Sequence, residues 1–252
     1  MNIIKCSGIK KSFSTRHGIV KAVDGVSLSI EKGETYGLVG ESGSGKTTLG
    51  KIILGILKPD SGSLEVGTKA IQVIFQDPYN SLDPRMRVSD ILTEGLILQR
   101  SSLRGPATEG GGPKQSDYII KNVLDIIKLP KDALKKYPHQ FSGGERQRIA
   151  IGRAIITDPE FIVCDEPVSS LDVTIELQIL KLLKDIQKDF GVTYLFISHD
   201  LRVVKFMCKR MAVMKDGRVV EEGRVDDIYS RPEKEYTRQL LSSILSIYRR
   251  GF

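Results

Sequence analysis

Val26-Ser27-Leu28-Ser29-Ile30 alternates apolar and polar residues at every step, the two-residue period of a strand with one face against a core. Glu31-Lys32-Gly33-Glu34 then turns the chain into Tyr36-Gly37-Leu38-Val39, whose continuous apolarity predicts a strand buried on both faces. Leu49, Ile52, Ile53 and Ile56 follow at helical spacing, and Lys58-Pro59-Asp60-Ser61-Gly62 closes that helix with turn chemistry. Ile71-Gln72-Val73-Ile74-Phe75 reads as another compact strand.

From about Asp77 to Arg153 the period changes, and helices broken by proline and glycine are predicted. Tyr118, Ile119, Val123, Ile126 and Ile127 make an apolar stripe that is read as core packing, and the Gly- and Pro-rich stretch 105–113 as a loop. Strands and helices alternate again afterwards. Phe161-Ile162-Val163-Cys164 and Tyr194-Leu195-Phe196-Ile197 predict strands on either side of a helix over Val173–Phe190. Met211-Ala212-Val213-Met214 and Arg218-Val219-Val220 flank Lys215-Asp216-Gly217 as a hairpin, and a short helical tail follows Pro232. Apolar strands spaced by helices predict an α/β fold, a parallel sheet covered on both faces and interrupted by a helical lobe.

The composition narrows the class only a little. With 252 residues, 40% hydrophobic and 27% charged, the chain can bury a substantial core. Its net charge of +7 is spread among 31 acidic residues without a basic block, so no nucleic-acid partner is expected. No apolar run approaches the ~18 residues of a membrane span, and no secretory-signal pattern opens the sequence. Cys6, Cys164 and Cys208 are far apart and odd in number, which favours inert thiols in a reducing compartment over a disulfide or metal site. The expectation is a soluble, cytoplasmic chain.

The sharpest motif is Gly40-Glu41-Ser42-Gly43-Ser44-Gly45-Lys46-Thr47, a G-x-x-x-x-G-K-[ST] loop set between a buried strand and a helix. Glycines let successive backbone N–H groups turn toward phosphate oxygens without a Cβ in the way. The helix beginning at Gly45 adds its positive end, Lys46 a mobile charge, and the Thr47 hydroxyl a ligand for Mg²⁺, with Thr48 beside it. Asp165 and Glu166 directly follow the strand 161–164, at the edge where open parallel sheets hold ligands. Asp165 suits Mg²⁺, and Glu166 suits polarising an attacking water or accepting its proton. His199 and Gln76 end two further strands, within reach of a γ-phosphate and of the metal or water respectively. Ser142-Gly143-Gly144-Glu145 precedes a helical run and makes a second anion-ready helix start, which invites a site shared between two subunits.

In this order, these motifs resemble the ATP-binding subunits of ABC transporters over essentially the whole chain. The resemblance implies a P-loop NTPase ABC-type core over residues 1–240, with an antiparallel β subdomain, a helical subdomain inserted at about 77–153, and a short tail at 241–252. It implies ATP and Mg²⁺ as cofactors, and two such domains closing head to tail on two nucleotides. Ser142, Gly143 and Gly144 would then contact the γ-phosphate in trans, Ser170-Leu171-Asp172 would line the seam, and Phe13 is the match for the aromatic that stacks on adenine. Glu145 and Phe141 depart from the commonest pattern, which has glutamine and leucine there, but neither removes the serine hydroxyl or the glycine backbone.

Two further segments resemble the peptide/nickel importer branch: Phe75-Gln76-Asp77-Pro78-Tyr79-Asn80-Ser81-Leu82-Asp83-Pro84-Arg85, and Tyr236-Thr237-Arg238-Gln239-Leu240-Leu241. That branch implies integral-membrane permease subunits, a second ATP-binding subunit, identical or related, and an extracytoplasmic substrate-binding protein. It places the chain at the cytoplasmic face of the membrane, energising import of di- or oligopeptides or of nickel. The short stretch between Gly62 and Ile71 raises a nickel or metallophore importer as an alternative. A non-transport ATPase accessory to a soluble complex, such as one of phosphonate breakdown, is the other.

Overall fold

The computed structural model describes residues 1–16, 18–102 and 113–249. Two long strands, β1 (Asn2–Thr15) and β2 (Gly18–Glu31), pair antiparallel and lead through the predicted turn into β3 (Thr35–Val39), every residue of which is buried. The glycine-rich loop connects β3 to α1 (Lys46–Ile53). β4 (Ser61–Val66) returns to pair with β1, and β5 (Ile71–Ile74) then enters a second sheet. Next come α2 (Pro78–Ser81), α3 (Val88–Ser102), α4 (Pro113–Ile126) and α5 (Gly143–Ile155), which make up the helical lobe. The core resumes with β6 (Phe161–Asp165), α6 (Val173–Phe190), β7 (Thr193–Ser198), α7 (Leu201–Met207), β8 (Arg210–Lys215) and β9 (Arg218–Arg224). Two helices, α8 (Val225–Ser230) and α9 (Glu235–Arg249), finish the chain.

The larger sheet runs β5-β6-β7-β3-β8-β9, parallel except for the last hairpin strand. Its apolar strands serve two cores by simple alternation. Leu38, Phe161, Val163, Leu195, Ile197, Ala212 and Met214 face the small antiparallel sheet and α1. Val39, Ile162, Cys164, Tyr194, Phe196, Met211 and Val213 face the lobe and the helices beyond it. A strand buried on both faces therefore has no polar phase, the pattern from which the sheet was expected. Because β3, β5, β6 and β7 are parallel, residues following them gather at one edge of the sheet.

Three local expectations shift. Ile56 does not extend the α1 stripe: the helix ends at Ile53, and Ile56 is 56% exposed. Gly55, at φ 73°, closes a Schellman motif in which its amide reaches the Ile52 carbonyl and that of Ile56 the Lys51 carbonyl, at 3.0 and 2.9 Å. Tyr118 lies on the outside of α4, 66% exposed. The buried face is Ile120, Val123, Leu124 and Ile127, at i, i+3, i+4, i+7 spacing, packed where Gly152 lets α5 approach. The β5 strand stops at Ile74, leaving Phe75 in the connection to the lobe. Most of the 105–113 stretch lies outside the described residues, and Pro113 opens α4.

Candidate active site

The gathering edge carries a cleft of about 910 Å³. Gly40, Glu41, Ser42, Gly43, Gly45, Lys46, Thr47 and Thr48 form its floor, with Gln76, Glu166 and His199 on one side. Val20, Lys21, Ala22, Asp216, Gly217 and Leu240 supply the opposite wall.

The loop's shape depends on glycine at two points. Gly45 sits at φ 104°, and a Cβ there would lie 2.1 Å from the Ala22 carbonyl oxygen. Gly40 would likewise strike the Met214 carbonyl at 2.2 Å. The loop is thus wedged between β2 and the end of β8, and Gly217 donates its amide to the Ser44 carbonyl at 3.0 Å. Lys46 is 4% exposed. Its ammonium donates to the Gly40 and Glu41 carbonyls at 2.8 Å each and to Ser44 Oγ at 3.3 Å. Burial lowers its pKa, against the opposing pull of Glu166, Asp165 and Glu41.

Two carboxylates meet this floor from β6. Asp165 Oδ1 accepts from the Thr47 hydroxyl at 3.1 Å, and burial raises its pKa, with the Thr47 bond working the other way. Glu166 takes the left-handed conformation at φ 49°, which costs a non-glycine residue on the order of 1 kcal/mol. That turn aims its Oε2 at two side chains from other strand ends, Gln76 Nε2 at 3.2 Å and His199 Nδ1 at 2.9 Å. Asp200 caps α7 through the Arg202 amide at 2.8 Å, so capping and the His199 contact coexist in one turn.

Asp165 and Thr47, which are in contact, and Gln76, which lines the same cleft as Thr47, offer oxygen donors of the kind Mg²⁺ takes when phosphate oxygens and water complete its shell. Among the described residues no cluster of three His, Cys, Asp or Glu side chains is arranged to hold a metal by itself. A hard cation shared with a phosphate fits this donor set better than a resident transition metal does.

The remaining predicted residues lie off the cleft wall. Phe13 stands exposed on β1 opposite Val20, one strand away from it. Ser142 caps α5 and Asp172 caps α6. Ser142 and Glu145 make a full capping box: Glu145 Oε2 accepts from both the Ser142 amide and its hydroxyl at 2.8 Å, and Ser142 Oγ accepts from the Glu145 amide at 3.3 Å. Those Ser142 bonds lower the Glu145 pKa. Gly143 is exposed and Gly144 buried against Ile175 of α6. The second anion-ready helix start is therefore built, but it does not share the phosphate-loop cleft of its own chain.

The opposite wall was not foreseen. Val20 and Ala22 carry no local motif, and Gly217 and Leu240 were read only as part of a hairpin turn and of a branch-like segment; only the tertiary fold brings the four to the loop.

The comparisons bear on the family and the fold. The ABC transporter family model matches residues 23–169. The oligopeptide transport ATP-binding protein OppF of Lactococcus lactis subsp. lactis is 48% identical over 243 residues, covering 90% of this chain and 73% of that protein. Its Bacillus subtilis namesake is 43% identical over 259 residues, covering 96% and 82%. Among solved structures, the dimeric post-hydrolysis state of the ATP-binding cassette MJ0796 bound to ADP and Pi superposes with a TM-score of 0.76 at 26% identity. That match covers 88% of this chain and 98% of the other. A glycine loop wedged into its fold, a carboxylate held between Gln76 and His199, and relatives that match 90% or more of this chain lead to one assignment: the chain belongs to the ABC transporter family, as one of its ATPase cassettes.

Proposed function

We propose that this chain is the ATP-hydrolysing subunit of an importer of di- or oligopeptides, bound peripherally to the cytoplasmic face of a membrane through permease subunits. The names of its relatives favour the peptide reading over nickel. Among the described residues no helix is long and apolar enough to cross a membrane. The cassette is read as residues 1–240, its helical subdomain at about 77–153 inserted and its tail at 241–252.

The observation that carries the chemistry is Glu166 held between Gln76 and His199 above the phosphate loop. Lys46 and the loop amides bind the β- and γ-phosphates, and Thr47, Asp165 and Gln76 would hold Mg²⁺. The metal, when bound, neutralises charge that develops on the phosphoryl oxygens. Glu166 orients a water and takes its proton as the water oxygen attacks the γ-phosphorus in line. The bond from that phosphorus to the bridging oxygen breaks, and His199 donates to a γ-phosphate oxygen. Because Ser142, Gly143, Gly144, Glu145 and Asp172 stand off this cleft, they are read as closing the cleft of a second ATPase subunit, with Phe13 near the base. Substrate would arrive by an extracytoplasmic binding protein, and no nucleic acid takes part.

The test is to purify Glu166→Gln with ATP and Mg²⁺ in mild detergent and identify every co-purifying chain by mass spectrometry. The variant should bind ATP without turnover and bring down two multi-span permease chains. Soluble enzymes or nucleic acid in their place refute the transport role, and normal multiple turnover refutes the role of Glu166.

A further inference from the structure

The tyrosine-led segment near the C-terminus, Tyr236 to Leu241, has no part in the chemistry described so far beyond Leu240 in the cleft wall, yet the fold brings it to the phosphate loop. Tyr236 lies in the first turn of α9, half-buried. Its hydroxyl accepts a hydrogen bond from the backbone N–H of Glu41 at 3.2 Å, across 195 residues of sequence. Glu41 is the first residue of the loop after Gly40. Leu240, one helical turn beyond Tyr236 and on the same face, lines the cleft itself. Lys215 places its ammonium 4.7 Å from the centre of the Tyr236 ring, a cation–π contact. The turn that follows Lys215 lines the cleft through Asp216 and Gly217. The start of α9 is fixed as well, because the Glu221 carboxylate in β9 accepts from the Glu233 and Lys234 amides at 2.9 and 3.1 Å.

We propose that α9 is a wall of the nucleotide site, and that Tyr236 is a positioning residue holding the leading end of the phosphate loop for ATP. The inference rests on the reading of that loop as the ATP site. A glycine-rich loop binds phosphate through several amides at once, and it loses affinity in proportion to the conformations it must give up on binding. The Gly45 and Gly217 contacts restrain the far end of the loop, against Ala22 and through the Ser44 carbonyl. Glu41 and Ser42 at the near end are exposed, and the tyrosine hydroxyl is tied to that end. Phenylalanine would keep the ring packing, the Lys215 contact and the helix, and would delete only the tie. Burial raises the Tyr236 pKa, and the bond from the Glu41 amide works the other way.

The test is calorimetric titration of MgATP into the full 252-residue chain as wild type, Tyr236→Phe and Lys46→Ala, with thermal melts of each protein without nucleotide. Tyr236→Phe should weaken ATP binding about fivefold, the worth of one ordinary hydrogen bond. ATP affinity equal to or tighter than wild type overturns the proposal, including the case where only the melting temperature falls, since Tyr236 is then a structural tie alone. The Lys46→Ala arm separates the two readings. If it leaves affinity unchanged, the assignment of the ATP site fails first. If it abolishes binding while Tyr236→Phe matches wild type, only the role of α9 fails.

Discussion

Gly144→Ala is the substitution whose cost the structure sets most directly, and the cost does not involve nucleotide. Gly144 is the second residue of α5 and is buried where that helix meets α6. A Cβ built there would lie 2.4 Å from Ile175 Cγ2, whereas carbon atoms rest about 3.5–4.0 Å apart. The helices must therefore part by about 1 Å, or Ile175 must change rotamer. Ile175 is β-branched in the first turn of α6, where one χ1 well dominates, so rotation gives little relief. Overpacking of this kind costs about 1–3 kcal/mol, and alanine's better helix propensity returns less than about 1 kcal/mol. We expect a net loss of about 1–2 kcal/mol, read as a fall in melting temperature of about 2–4 °C per kcal/mol for a domain of this size. Measured without nucleotide, no phosphate contact can enter the result. Ile175→Ala removes the clashing methyl at a cost of its own. In the double variant the penalties should fall short of their sum by about 1 kcal/mol or more. Strict additivity, or a neutral Gly144→Ala, would refute the argument that helix approach demands this glycine.

Two further outcomes follow from other contacts. Glu145→Gln keeps the side-chain acceptor of the capping box but removes a negative charge beside the serine that is read as meeting a γ-phosphate. ATP-dependent self-association, followed by sedimentation, should tighten, and weaker association would count against that reading. The same carboxylate has a lowered folded pKa, so its stabilisation is present above the unfolded value of about 4.3 and fades as pH falls through the folded value. The wild-type minus Glu145→Gln difference in melting temperature should shrink in that acidic window and stay flat near neutrality. Finally, Cys6, Cys164 and Cys208 are buried and free, with burial pushing the Cys6 thiol up to about 12 and raising the other two. A thiol reagent at pH 8 should label none of them until the protein is unfolded, and fast labelling of the native chain would show that these core positions open.

What the sequence made legible was local. The phosphate loop, Asp165-Glu166 and the Ser142 start are each contiguous, and each needs only its own strand and helix to be recognised. Gln76, Glu166 and His199 could be placed at strand ends because parallel strands share a direction, although their mutual contacts could not be seen. β1 and β4 were not resolved individually: β1, at the centre of the small sheet, mixes exposed with buried positions and carries several register shifts, and β4, at its edge, has no fully buried position to set a pattern. Ile56 and Tyr118 were misread because an apolar residue at the right spacing says nothing about where a glycine ends a helix or which face a neighbour covers. The far wall of the cleft was invisible for a stronger reason: Ala22 against Gly45, Gly217 against Ser44 and Tyr236 against Glu41 are contacts between distant segments with no periodicity of their own.

In the proposed mechanism, the contacts of Glu166 also bear on how hydrolysis would be joined to movement. A left-handed glutamate is kept at some cost, and what the conformation provides is one carboxylate oxygen reached by two side chains from different elements. His199 follows β7, within the rigid parallel sheet. Gln76 does not belong to that frame in the same way, because it stands between the end of β5 and α2, where the core gives way to the helical lobe. A rotation of the lobe that left the sheet untouched would move Gln76 relative to Glu166 and leave the His199 contact in place. The hydrogen bond from Gln76 is thus the part of the cluster that a movement of the lobe would make or break. Its geometry at 3.2 Å, longer than the His199 contact at 2.9 Å, marks it as the weaker of the two. Coupling in this chain then needs no long relay. It would need only that one of the two side chains meeting the Glu166 carboxylate stands where the core passes into the lobe.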